Sequence, residues 1–207
     1  MRRAAAFSVC LLVVSFATGC KKKPAIVTDP PPSTVATSLP TASATTEKPT
    51  PKPDKATTAW VTFEPEPTKF SLVFPGVPEQ KATPTPSAAG TMIQHDAQVS
   101  YKDSFYAIGW MDFPAGATVD PKKALDGARD GAVKGAGGRI KTEKSVKLNG
   151  KHPGRDIVFE VIKPIQATGY LRMYMVGKRF YQTLVVEPAA HPDQASVDKF
   201  LESFKVK

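Results

Sequence analysis

The chain has 207 residues and a formal net charge of +9, but its first 58 positions lack the texture of a globular domain. Arg2 and Arg3 stand at the start, and residues 21 to 58 carry six lysines against Asp29, Glu47 and Asp54, which leaves only +4 for residues 59 to 207. That is an ordinary domain charge, and nucleic-acid binding would need both a clustered basic face and access to nucleic acid, which export would deny. Cys10 and Cys20, both ahead of position 59, are the only cysteines, so the remainder has no disulfide, thiol nucleophile or cysteine-based metal site.

In chain order, Arg2 and Arg3 precede an apolar or small-residue run over positions 4 to 19, the pattern of an export signal. Sixteen residues rise about 24 Å as a helix, short of the roughly 30 Å hydrocarbon core, so cleavage is expected rather than a permanent span. The run ends on Ala17-Thr18-Gly19-Cys20, which resembles the lipobox of bacterial lipoproteins, with Ala17 where that family more often has leucine. The resemblance implies a diacylglyceryl thioether on Cys20, cleavage before it and acylation of its amine. Two or more chains make such an anchor effectively permanent. Lys21 follows where inner-membrane lipoproteins often carry aspartate, so the expected place is the cell envelope, at the outer membrane if the cell has two. Lys21, Lys22 and Lys23 lie where anionic headgroups would meet them.

Residues 21 to 58 hold eight prolines and twelve serines or threonines with no aromatic residue, too little apolar surface to offset the entropy of ordering. This is read as a linker of 38 residues, spanning roughly 35 Å as a coil and at most about 120 Å as polyproline helix. The expected organisation is therefore a signal peptide at 1–19, a lipidated Cys20 with its linker at 20–58, and one globular domain at 59–207.

From Ala59 the texture changes. "WVTF" and "KFSLVF" read as strands closed by Pro75-Gly76, and "TMIQHDAQVSY" with "FYAIGWMDF" as a hairpin around Lys102-Asp103-Ser104. Asp120 as N-cap and Pro121 as first helical residue open a helix that stops at Gly137-Gly138. "RIKTEKSVKLN" pairs with "RDIVFEVIK" across Asn149-Gly150, and "YLRMYMV" with "RFYQTLVV" across Gly177-Lys178. "PDQASVDKFLESF" closes the chain as a helix with Val197, Phe200, Leu201 and Phe204 on one face.

Successive hairpins imply antiparallel pairing, so the expected class is α+β: an antiparallel β-sheet built from hairpins and covered by two α-helices. With "FSLVFPGVP" near the start, "LNGKHPGRDIVFE" in the middle and "FLESF" at the end, the element order resembles the PsbP-like α/β/α sandwiches. That family is largely non-catalytic, which implies an accessory or binding module and brings no catalytic residues.

A two-residue turn at Gly177-Lys178 sets Tyr174 opposite Tyr181 and Arg172 opposite Thr183. One face of this hairpin then carries Leu171, Met173, Met175, Phe180, Leu184 and Val186 as core. The other carries Tyr170, Arg172, Tyr174, Arg179 and Tyr181, either a packed amphipathic face or a surface on which a flat or anionic ligand could stack. Gly127, Gly131 and Gly135 recur every four residues on the first helix, at a cost of about 1 kcal/mol each against alanine, and close approach to the sheet is the expected compensation. His95, His152 and His191 lack metal-site spacing, and no nucleophile elbow is present.

Three functional readings follow. The first is a non-catalytic envelope module, bound to the membrane through Cys20 and meeting an envelope protein or cell-wall component. The second is a small-ligand carrier using the tyrosine–arginine face. The third is a hydrolase whose groups meet only in the fold. No cofactor, metal or nucleic-acid partner is expected.

Overall fold

The structure is a computed structural model that describes residues 59–87, 90–162 and 166–207. The signal, the lipobox with Cys20 and the linker lie outside the described residues.

Ten strands and two helices follow one another in the described chain. They are β1 (Val61–Phe63), β2 (Phe70–Phe74), β3 (Glu79–Ser87), β4 (Gly90–Tyr101), β5 (Ser104–Asp112), α1 (Pro121–Gly135), β6 (Gly138–Leu148), β7 (His152–Val161), β8 (Ala167–Val176), β9 (Arg179–Pro188), α2 (Gln194–Glu202) and β10 (Lys205–Val206). Seven strands form one antiparallel sheet in the order β3-β4-β5-β9-β8-β7-β6, and β1-β2-β10 form a second, three-stranded sheet.

This corrects the expected fold class. The chain is predominantly antiparallel β with two sheets rather than one sheet covered by two helices. The physical reason lies in β1 and β2. Phe63, Phe70, Leu72 and Phe74 turn into a shared core instead of extending a sheet edge, and the C-terminal β10 hydrogen-bonds to β2. Two strands escaped the sequence reading. β3 contains Pro84 and Pro86 and has no apolar alternation, which an edge strand tolerates, while β10 is only two residues long.

Local chemistry otherwise follows the sequence. Asp120 caps α1 by accepting from the N–H groups of Lys122 and Lys123 at 2.9 and 3.2 Å, with Pro121 at the first helical position. Gly137, at φ 61°, ends the helix in the left-handed conformation that favours glycine. Asn149 and Gly150, at φ 51° and 72°, make the tight turn between β6 and β7.

Two cores lie on the two faces of the large sheet. On one face α1 lays Leu125, Ala128 and Val133 with Ile157, Phe159, Leu171 and Met173. On the other, the small sheet and α2 lay Phe70, Phe74, Phe200 and Phe204 with Tyr106, Trp110, Tyr174 and Tyr181. Burying a large apolar side chain contributes about 1.5–3 kcal/mol, so these two layers dominate the stability of the fold.

The glycines spaced four apart on α1 are not among its fully buried residues. The buried residues of α1 are Ala124, Leu125, Ala128 and Val133, whereas Gly127 and Gly131 are half-buried and Gly135 is exposed. Two strand glycines do make room for rings. A Cβ on Gly154 would lie 2.4 Å from Tyr174 Cδ1, and one on Gly169 would lie 2.1 Å from Phe159 Cζ. Gly169→Ala is therefore expected to destabilise the protein by about 2 kcal/mol through overpacking. Urea midpoints test this against Gly116→Ala, where a Cβ meets nothing within 4 Å and the expected change is below about 0.5 kcal/mol.

Candidate functional site

The β8–β9 hairpin has the expected register, with Tyr174 opposite Tyr181, Met175 opposite Phe180 and Arg172 opposite Thr183. Its Leu171–Met173–Met175 side packs in the core beneath α1. The tyrosine–arginine side divides into three environments.

Tyr174 and Tyr181 are buried. Phe204 stacks parallel to Tyr174 at 5.8 Å and tilts against Tyr181 at 5.2 Å, and Phe70 meets Tyr181 edge-on at 5.4 Å. Burial raises the pKa of both phenols. Arg179 lies at the end of this core, where Nε and Nη2 donate to the two oxygens of Asp112 at 2.6 Å each and Nη1 donates to the Thr68 carbonyl at 2.9 Å. That fork anchors the loop before β2 to the large sheet. Tyr170 and Arg172 are half-buried, and Arg172 Nε donates to Asp156 at 2.8 Å. The five residues therefore do not form one surface.

What remains open lies next to Tyr170 and Arg172. The register places Val158 opposite Tyr170 and Thr142 opposite Val158, then Asp156 opposite Arg172 and Lys144 opposite Asp156. Asp156 and Val158 are half-buried, and Thr142 and Lys144 are exposed. The covering layer reaches β6 at Val146 and Leu148, which are half-buried against it, and leaves a mostly polar strip at Thr142, Lys144, Asp156 and Val158. Signals for it were present in "KTEKSVK", a strand with hardly any apolar alternation.

On the opposite face an ion-pair network ties α1 to the same two strands. Arg155 reaches Asp126 at 2.7 Å and Ser145 at 2.6 Å, and Arg129 holds both oxygens of Glu143 at 2.9 and 3.0 Å. Arg155 Nε lies 3.1 Å from Glu143 but forms no hydrogen bond. Hydrogen bonds from Lys122 and Arg155 draw the Asp126 carboxyl down to about 2. Three cations, Lys122, Arg129 and Arg155, meet three anions, Asp126, Asp130 and Glu143, so the network is saturated and offers no charge to a ligand.

Glu187 is the deepest carboxylate described, with a relative exposure of 1%. One oxygen accepts from the Asp193 N–H at 2.9 Å, at the start of α2, and Oε2 has no hydrogen-bond partner. Burial pushes its pKa up, only partly opposed by that N–H. Burial, reinforced by Glu187 and Asp193, raises the nearby Tyr106 hydroxyl to about 12. The sequence reading missed Glu187, although alternation along β9 places it on the inward side of Tyr181, Thr183 and Val185.

The histidines do not converge. His95 stacks on Trp110 at 5.2 Å and 7° between planes. The strand pairings place four strand spacings, roughly 19 Å, between it and Gly154, two residues from His152. His191 is exposed before α2. Among the described residues no group of three or more His, Cys, Asp or Glu side chains is arranged to hold a metal ion.

No family model and no curated protein matches the chain. Among solved structures it is similar to PsbP from the cyanobacterium Synechocystis sp. PCC 6803, at TM-score 0.49 and 7% identity, over 75% of this chain and 96% of that one. It also overlaps a Pseudomonas aeruginosa protein of unknown function, at TM-score 0.31 and 10% identity, over 63% of this chain and 84% of that one. Overlaps at these levels leave function to the residues themselves.

Glu187 yields a pH prediction. Its folded pKa lies above the ordinary 4.5, so between those values the folded state holds the extra proton. Its contribution is then fully present below 4.5 and is lost as pH rises through the folded value. Glu187→Gln, which keeps the acceptor for Asp193, should flatten this decline in urea midpoints measured from about pH 4 to 8. Identical pH slopes in the two proteins would refute the assignment.

Proposed function

We propose that the chain is an exported lipoprotein whose domain is a non-catalytic binding module of the cell envelope, held to the membrane by acylated Cys20 and a 38-residue linker. The observation that carries this reading is the polar strip on β7 and β6, where the half-buried Arg172–Asp156 pair adjoins exposed Thr142 and Lys144. Flat charged surfaces suit contact with another macromolecule, whereas small-molecule and catalytic sites are concave and mostly apolar. The separation of the histidines removes the support for an acid–base pair built from them.

The small-ligand reading is narrowed to Tyr170 and Arg172, because Tyr174 and Tyr181 lie under Phe204. Stacking between two tyrosines is no longer available to it.

The tether is tested with Cys20→Ala. Wild-type protein should incorporate labelled palmitate and sediment with membranes, and the variant should do neither while keeping the same urea midpoint. A variant that still sediments and takes up label would overturn the lipoprotein reading. For the module, crosslinking in intact cells should join wild-type protein to a common envelope partner, and its absence from repeated captures would count against binding.

A further inference from the structure

The two edges of the large sheet differ. Strand order leaves β3 at one edge and β6 at the other. Pro84 and Pro86, two residues apart in β3, remove two backbone donors from the same side of that strand. β6 has no proline among its eleven residues, its residues from Arg139 to Ser145 are all exposed, though the Glu143 side chain is partly covered by α1, and it pairs with β7 without a break from Thr142 to Leu148. In an antiparallel edge strand alternate residues turn both N–H and C=O outward, so this stretch offers roughly three such residues to a further strand.

Charge determines which strand fits. Glu143, the sole acid of β6, is held by Arg129 and Arg155. Arg139 and Lys141 both pair with Glu160. Lys144 and Lys147 are exposed, lie on opposite faces of the strand, and have no ion-pair partner among the described residues. The edge therefore presents one uncommitted cation on each face.

We propose that β6 is a docking edge that accepts, by strand addition, an extended acidic segment of another protein. The proposal rests on the binding-module reading and specifies how the module binds. Main-chain hydrogen bonds supply the attachment, and Lys144 and Lys147 select acidic side chains on either side of the incoming strand. A second copy of the chain offers no acidic strand here: Glu143, the sole acid of β6, is already held by Arg129 and Arg155, and a two-fold antiparallel pairing centred on Lys144 sets the two Lys144 side chains opposite each other. The linker, at +3 over residues 21 to 58, lacks the acidic charge that this edge selects.

The test pans the full chain in detergent against a random decapeptide library on phage. Enriched peptides should carry Asp or Glu three positions apart, one on each face of the extended strand, and lack proline at their centre. A synthetic peptide of the leading sequence should protect backbone amides between Thr142 and Leu148 from hydrogen exchange. The double variant Lys144→Glu and Lys147→Glu should weaken its binding by about tenfold or more, while Lys123→Glu, at an exposed position on α1, should leave it unchanged. No enrichment, neutral or basic sequences, binding without protection of β6 amides, as polyglutamate or anionic vesicles would give, or indifference to the double variant each overturns the proposal. If the double variant still crosslinks to the envelope partner, the docking edge falls and the binding-module reading stands.

Discussion

The packing of Phe70 and Phe204 onto Tyr174 and Tyr181 is the contact on which the rest of this domain depends. Phe70 also meets Trp110 edge-on at 5.1 Å and Phe63 at 6.2 Å, so one ring joins the two sheets. Phe204 follows the C-cap of α2 and leads directly into β10, which hydrogen-bonds to β2. The beginning and the end of the domain are thereby locked together over the middle of the large sheet. Offset and edge-on aromatic pairs add about 0.5–1.5 kcal/mol each beyond area burial, and several share these rings.

That lock decides what is open. α2 and the small sheet cover β5, β9 and the inner part of β8 on one face, while α1 is held by ion pairs over β6 and β7 on the other. On the first face the cover reaches β6 at Val146 and Leu148 and leaves Thr142 and Lys144 exposed. The open strip therefore adjoins the sheet edge, and the same element carries both. Val146 and Leu148 hold β6 from one face, and the ion pairs of Glu143 with Arg129 and Arg155 hold it from the other. Binding can then use β6 without disturbing either core.

Glu187 shows a different compromise. It accepts from the Asp193 N–H at the entry to α2, so the helix that carries Phe200 is positioned partly by a buried acid. Burial raises the pKa of a carboxylate in that setting.

Much was legible in the sequence because it depends on near neighbours. The caps at Asp120 and Gly137, the Asn149-Gly150 turn and the full register of the β8–β9 hairpin follow from turn chemistry and alternation, and the structure has them as expected. The identity of the tyrosine–arginine residues on one side of that hairpin was equally local. Their fate was not. Whether Tyr174 faces solvent or Phe204 depends on where residues 30 positions later come to rest, and alternation is blind to that distance. The same limit made β1 and β2 look like part of a single sheet, since an apolar strand reads alike whether it extends a sheet or packs across one. Sequence by itself determined all the elements but β3 and β10, the pairing within the hairpins it showed and the charge of each strand. Tertiary structure alone decided which face is closed, which edge is left free and which carboxylate is buried, because those outcomes are set by contacts between elements far apart in the chain.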